Sequence, residues 1–97
     1  MKTIDEVQQE IIDEFGAFDD WLDKYSLIIE QGNALEPLED KYKIPENLIE
    51  GCQSRVWLQP LYNDGKLYFQ ADSDAVIVKG LLALVLRVFN GRTPDEI

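Results

Sequence analysis

The chain has 97 residues, with 9 basic and 19 acidic side chains that give a net charge of −10, one cysteine and no histidine. This length predicts one domain with its own core. The composition excludes Ser-His-Asp and Cys-His catalytic arrangements, imidazole metal sites and an internal disulfide. The acidic balance argues against nucleic acid and anionic membranes as partners. A lone thiol fits the cytoplasm.

The first predicted helix begins with a capping box. Thr3 and Glu6 have the spacing at which each side chain accepts a hydrogen bond from the other's backbone N–H. Apolar residues then recur at helical spacing as far as Phe15. Gly16 is predicted to end this helix.

A second helix is predicted to begin near Asp19 or Asp20 and to end at Gly32-Asn33, which is a typical stop signal. Two aromatic residues one helical turn apart are expected in the core, namely Trp21 and Tyr25. Residues 34–50 contain two prolines and are predicted to be an irregular connection. Its length is above the usual loop range, which favours a functional segment.

After the cysteine the apolar period changes to two, which predicts strands over 55–62 and 66–71. Asn63-Asp64-Gly65 between them is a hairpin signal. Pro60 lacks an N–H donor and is expected at an edge or a bulge. A short third strand over residues 47–50 is a further expectation.

Asp72-Ser73-Asp74 is predicted to cap a long apolar helix over residues 75–89. This run contains Lys79 and Arg87 and falls short of the roughly 20 residues that a membrane span requires. An isolated hairpin is marginally stable, so the helix is expected to pack on it. The order of elements predicts an α+β fold in two layers, with the N-terminal helices and the apolar helix on a small antiparallel sheet.

The single thiol, Cys52, follows Gly51, which permits a tight turn before the first strand. Cys52 is therefore expected near the tip of a loop, where Arg55 would favour the reactive thiolate. Three apolar residues would shelter the thiol from below: Ile44, Leu48 and Ile49. In the alternative interpretation Cys52 is a small buried hydrophobe, and the local pattern alone favours that alternative.

Three stretches of the sequence resemble the SufE family of sulfur-acceptor proteins. They are WLDKYSLIIEQGNALEPL, NLIEGCQSRVWL and GKLYFQADSDAVIVKGLLALVLRVFNGRTPDEI, and the resemblance covers essentially the whole chain. Its sharpest motifs are Gly51-Cys52-Gln53-Ser54 running into Val56-Trp57, and Asp72-Ser73-Asp74-Ala75 running into Val78-Lys79-Gly80.

The resemblance implies that Cys52 accepts persulfide sulfur from a cysteine desulfurase of the SufS type and that the protein stimulates this desulfurase. The sulfur would then pass to downstream scaffold proteins for iron–sulfur cluster assembly. The protein would be a carrier and activator and not itself an enzyme. It would need no cofactor or metal, because the pyridoxal phosphate belongs to the partner.

The site implied by the resemblance has three parts. Cys52 is the persulfide-forming acceptor, and a supporting loop surrounds it, formed by Gly51, Gln53, Ser54 and Arg55. Asp72 and Asp74 are candidates for docking the partner.

Family members usually continue past Ile97 into further helices, so residues 1–97 are expected to be one SufE-like domain shortened at its C-terminus. An uncovered apolar face on helix 75–89 would then promote self-association. Two other functions stay open from the residues alone. One is a thiol redox sensor, which needs a resolving thiol from elsewhere, and the other is an acidic interaction domain with an incidental cysteine.

Overall fold

The computed structural model describes residues 2–49 and 54–97. In this part of the chain it has three helices and two antiparallel strands: α1 (Ile4–Gly16), α2 (Trp21–Ala34), β1 (Val56–Asn63), β2 (Lys66–Ser73) and α3 (Val76–Phe89). Two short 3₁₀ turns, Asp40–Tyr42 and Pro45–Asn47, interrupt the connection between α2 and β1. Helix α3 packs against β2, α1 and α2. The predicted α+β fold is confirmed.

Helix α1 begins and ends where the sequence predicts. The Glu6 N–H donates to Thr3 Oγ1 and the Thr3 N–H donates to Glu6 Oε1, each at 3.1 Å. This capping box satisfies backbone donors that have no partner within the helix. Gly16 is the last helical residue.

Helices α2 and α3 cross at a pair of glycines. A Cβ on Gly32 would lie 2.8 Å from the Gly80 nitrogen, and a Cβ on Gly80 would lie 2.2 Å from the Ile28 carbonyl oxygen. Helix α2 ends at Ala34, one residue past the predicted stop at Gly32-Asn33, but Gly32 itself lies inside the helix and does not end it. The lack of a side chain at Gly32 allows the backbones of α2 and α3 to approach closely, and no turn is formed there.

The hairpin pairs Val56 with Ser73 at one end and Asn63 with Lys66 at the other. Asp64 and Gly65 form the turn with φ values of 52° and 76°, which is the backbone conformation that a two-residue hairpin requires. The two strands extend one and two residues beyond the predicted ends. The hairpin prediction itself is confirmed.

Pro60 lies opposite Phe69 in the hairpin. The Phe69 N–H points away from β1 and donates to Asn90 Oδ1 at 2.6 Å. Opposed residues in an antiparallel pair share the same orientation, so this pair exchanges no ladder hydrogen bonds. The sheet therefore loses nothing by having a proline there.

Both edges of the sheet carry short additional pairings. Leu48 forms a single antiparallel bridge with Trp57, which is all that the described residues show of the expected third strand. On the other edge, the Leu67 N–H donates to the Arg92 carbonyl at 2.7 Å. The sheet is thus bounded by chain segments that precede and follow it.

Arg92 joins the end of α3 to the start of the chain. Its side chain is almost fully buried, and the residue is only 2% exposed. Its Nε donates to the Val88 carbonyl at 3.1 Å, and one terminal nitrogen donates to the Lys2 carbonyl at 2.5 Å. No pattern in the sequence indicated this contact.

Trp21 and Tyr25 are not core residues, which corrects the sequence prediction. They are 67% and 48% exposed. Both share the helix face of Ile28 and Gly32, but the closest approach of α2 to α3 is at the glycine crossing, further along the helix. The Lys24 ammonium lies over the Trp21 ring, 4.8 Å from its centroid.

Candidate functional site

The predicted acceptor thiol and most of its loop lie outside the described residues. These are Glu50, Gly51, Cys52 and Gln53, and the roles predicted for Gly51, Cys52 and Gln53 stay predictions. The chain on either side is described, however, and Cys52 is three residues after Ile49 and two before Ser54 in the sequence. We call Leu48 and Ile49 the first flank of the thiol segment, and Ser54 and Arg55 the second flank. The site can therefore be described from the residues that hold these two flanks.

The first flank is fixed to strand β1. The Ile49 N–H donates to the Val56 carbonyl at 2.8 Å, next to the bridge between Leu48 and Trp57. Just before it, Asn47 Nδ2 donates to Gln59 Oε1 at 2.6 Å. The chain that leads to the thiol is thus held by backbone and side-chain bonds together.

The second flank is fixed to the end of strand β2. The Arg55 N–H donates to Asp74 Oδ1 at 3.0 Å, and the Arg55 carbonyl accepts from Ser73 Oγ at 2.8 Å. The Asp74 N–H also donates to this carbonyl, at 3.3 Å. Arg55 therefore has both backbone groups held, while its side chain is exposed. Ser54 is half-buried beside it.

These bonds correct the predicted helix cap. Helix α3 has Ala75 at its N-cap position with no side-chain capping bond. Asp72 and Ser73 belong to β2, since the strand continues two residues beyond the predicted end. Ser73 Oγ accepts from the Ala75 N–H at 3.2 Å, but the Asp74 carboxylate binds the thiol flank and not the helix.

Asp72 is a buried carboxylate with four partners, and the residue is only 6% exposed. Oδ1 accepts from the Ser73 N–H at 2.8 Å and lies 3.7 Å from the ammonium of Lys79. Oδ2 accepts from the Leu38 N–H at 3.4 Å and lies 3.4 Å from the ammonium of Lys43. Lys79 is thus ion-paired with a buried carboxylate.

The pKa of Asp72 reflects opposing effects. Burial alone would raise it, but the hydrogen bond from Ser73, the charge of Lys79, the hydrogen bond from Leu38 and the charge of Lys43 outweigh burial. The net result is a pKa below the usual aspartate value. The carboxylate is therefore ionised near neutral pH, as its two cationic neighbours require.

We expect Asp72→Asn to lower the free energy of unfolding by about 1–3 kcal/mol near neutral pH, because a neutral amide leaves two ammonium groups without their counterion. Since the folded-state pKa is depressed, this stabilisation is complete above the unfolded pKa of about 3.9 and is lost as the pH falls through the folded pKa. Urea unfolding of both proteins across this range measures the difference. A difference that did not shrink below about pH 4 would contradict the assignment.

The two candidate docking carboxylates differ in their surroundings. Asp74 is exposed, whereas Asp72 is enclosed by partners from its own chain. Docking through either residue stays a prediction. The three residues expected to shelter the thiol, Ile44, Leu48 and Ile49, are each 38–40% exposed.

Helix α3 carries an exposed apolar stripe, formed by Val76, Ile77, Leu81 and Val85. Between its last turns and the hairpin there is an apolar cavity of about 170 Å³. Lys79 and Arg87, the charged residues of α3, turn toward carboxylates of the same chain. Self-association through this face stays a prediction, which sedimentation of the protein would measure.

The ranges 2–49 and 54–97 hold no group of three or more His, Cys, Asp or Glu side chains that could bind a metal ion. Within the same ranges no helix has the length and apolar character to cross a membrane.

Sequence reasoning missed Leu38 and Lys43 as neighbours of this site. They lie in the irregular connection, where no periodicity indicates which side chains face inward. The one available signal was Asp72 itself, because an aspartate at the end of a strand that packs on an apolar helix needs a cation once it is buried. That signal does not say which lysine supplies the charge.

Fold and site together define a small α+β protein whose one thiol lies between two anchored flanks. The family model of SufE, described as an Fe-S metabolism associated domain, matches residues 9–97. The chain therefore belongs to the SufE family, and its resemblance in sequence is confirmed. This membership associates the protein with iron–sulfur metabolism.

Proposed function

We propose that this protein is a sulfur acceptor and carrier that receives persulfide sulfur on Cys52 from a cysteine desulfurase, for iron–sulfur cluster assembly. The observation that carries the proposal is membership of the SufE family in a chain with only one cysteine. No other side chain here can form a persulfide. Delivery to scaffold proteins in the cytoplasm is part of the same proposal.

The proposed step is a relative of thiol–disulfide exchange. The Cys52 thiolate attacks the outer sulfur of the donor's cysteine persulfide. A new S–S bond forms at Cys52 as the donor's S–S bond breaks, and the donor cysteine leaves as a thiolate that takes up a proton. Sulfur is transferred without net oxidation, so the step requires no oxidant, metal or histidine from this chain.

The geometry of the flanks supports this role. A carrier thiol has to be presented at a defined place on the surface that meets the donor. Ile49 is held by a hydrogen bond to β1, and Arg55 is held by Ser73 at the end of β2 and by Asp74 just after it, so the short segment between them has fixed ends. The net charge of −10 suits a desulfurase that presents basic residues around its active-site entrance. Docking there is also how the protein would stimulate the desulfurase.

The direct test is intact mass after incubation with a cysteine desulfurase, pyridoxal phosphate and L-cysteine. We expect the mass to increase by one sulfur atom and to return to its original value after treatment with a reductant. Cys52→Ala should show no increase, although it should fold normally. The double variant Cys52→Ala with Ser54→Cys moves the thiol by two residues and should load poorly, because position as well as chemistry is required. Absence of loading in the unaltered protein would refute the proposal.

A further inference from the structure

We propose that Asp72 is a positioning residue for sulfur transfer, and that its carboxylate, between Lys43 and Lys79, holds both flanks of the thiol segment in their working places. This inference rests on the proposed function of Cys52. Asp72 takes no part in the transfer chemistry. In this inference its buried charge nevertheless controls the reactivity of Cys52, which lies in a different segment of the chain.

The first flank reaches Asp72 through the connection between α2 and β1. Leu38 and Lys43 both bind Oδ2, which joins the middle of this connection to strand β2. The connection then passes through Asn47, whose side chain donates to the Tyr42 carbonyl at 2.8 Å and to Gln59. Its last residues form the bridge to Trp57. These contacts thus connect the first flank to the Asp72 carboxylate.

Trp57 makes this link tighter. It lies directly opposite Asp72 in the hairpin register. The Lys43 ammonium that pairs with Asp72 also lies 5.5 Å from the centroid of the Trp57 ring. A cation at this distance from an aromatic face is attracted to it. Lys43 therefore joins the carboxylate to the strand residue that pairs with the first flank.

The second flank reaches Asp72 through its neighbour in the chain. Oδ1 accepts the Ser73 N–H at 2.8 Å, and this bond orients the residue whose hydroxyl donates to the Arg55 carbonyl. Asp74, the next residue, holds the Arg55 N–H. The two oxygens of one carboxylate thus serve the two flanks separately.

Lys79 fixes the carboxylate to the helical layer. It precedes Gly80, where the backbones of α2 and α3 approach so closely that a Cβ would lie 2.2 Å from the Ile28 oxygen. The helix cannot slide there without a clash, so the base of the Lys79 side chain is held in place. Its ammonium lies 3.7 Å from Oδ1. Asp72 therefore transmits the rigidity of the helix crossing to the thiol flanks.

The pair of Arg87 and Glu14 offers a matched control. The guanidinium donates to both oxygens of Glu14 and joins α3 to α1. This pair, like that of Asp72, joins two elements of the fold through α3. Neither residue is among the partners of Leu48, Ile49, Ser54 or Arg55 recorded above.

The experiment compares Asp72→Asn with Glu14→Gln, well below both unfolding temperatures. Two rates are measured: alkylation of Cys52 by iodoacetamide, and single-turnover sulfur transfer from a persulfidated desulfurase. We expect Asp72→Asn to accelerate alkylation and to slow sulfur transfer, each by at least about fivefold. Glu14→Gln should leave both rates within about twofold, a difference of less than 0.5 kcal/mol, even if its stability falls.

Lys43→Met is a second variant in case Asp72→Asn does not fold. It keeps Asp72 paired with Lys79 but removes the charge that connects the first flank, and its side chain lies at a partly exposed position. The same opposite changes in the two rates are expected. A general loss of stability would produce the same changes in Glu14→Gln, so this control separates the role of Asp72 from local unfolding.

Unchanged rates in both Asp72→Asn and Lys43→Met would overturn the positioning role, and so would equal changes in Glu14→Gln. The alkylation rate is measured on this chain alone, without a desulfurase. A failure of the proposed function would appear as absent sulfur loading in the unaltered protein, whereas a failure of this inference would appear as an alkylation rate that does not depend on Asp72.

Discussion

Replacing Gly80 with alanine should destabilise the protein by about 3 kcal/mol. The new Cβ would lie 2.2 Å from the Ile28 carbonyl oxygen and 2.4 Å from a methyl carbon of the same residue. The first neighbour is a backbone atom inside α2, so a side-chain rotation cannot relieve the clash. The two helices would have to separate, and the packing around their crossing would be lost.

Gly16→Ala is the matched control for this prediction. No atom lies within 4 Å of a Cβ built on Gly16. Alanine is favoured over glycine in a helix by up to about 1 kcal/mol, so this variant should be as stable as the unaltered protein or slightly more stable. Urea unfolding followed by far-UV circular dichroism measures both. If Gly80→Ala were as stable as Gly16→Ala, the close crossing of α2 and α3 would be wrong.

Arg92→Met should cost about 3 kcal/mol. Methionine keeps the apolar stem of the side chain, so the effect isolates the guanidinium. Its loss leaves the Val88 and Lys2 carbonyls without this donor and removes a charged group that is itself almost fully buried. Hydrogen exchange of the α1 amides should also accelerate, because Lys2 is held only two residues before that helix begins.

The control for Arg92 is Lys66→Met, which removes a positive charge from an exposed position at the start of β2. Surface substitutions of this kind change stability by less than about 0.5 kcal/mol. Both substitutions remove one positive charge. Denaturant unfolding of the two variants therefore compares the loss of a buried cation with the loss of an exposed one. Equal stabilities would mean that the hydrogen bonds of Arg92 are not needed for folding.

Features that depend on neighbouring residues could be predicted from the sequence. The capping box of α1 joins Thr3 and Glu6, and the hairpin turn consists of Asp64 and Gly65. In both cases the residue types that form the structure lie within four positions of each other, and local chemistry determines the conformation. Helix α3 was also predicted, from an apolar run that extends over almost the entire helix.

Features that depend on distant residues could not be predicted. Asp72 meets Leu38 across 34 positions, and Arg92 meets Lys2 across 90. The Asp72-Ser73-Asp74 sequence before an apolar helix is the usual signature of a cap, and only the longer pairing of β2 with β1 moves its first two residues into a strand. Gly32 was misread for a similar reason, since a helix stop and a helix crossing both favour glycine.

The candidate site was only partly accessible to sequence reasoning. The role of Cys52 was inferred from the family motif, and it stays a prediction. The bonds that hold its flanks involve Ser73, Asp74 and the backbone of Arg55, and they arise from the alignment of two strands. Such an alignment is set by the pairing of the whole hairpin and not by any residue near the thiol.

The exposed hairpin turn gives this molecule a convenient place for a reporter group. Strand β1 runs for eight residues from Val56, beside the thiol flanks, to Asn63 at the turn, a span of about 23 Å. Maleimide dyes would label Cys52 alone, because the chain has no second cysteine. A short peptide tag that lengthens the turn at Asp64 should cost little in loop entropy. A dye at one end of the strand and a tag at the other would then report the distance along β1, in experiments that do not require a free thiol.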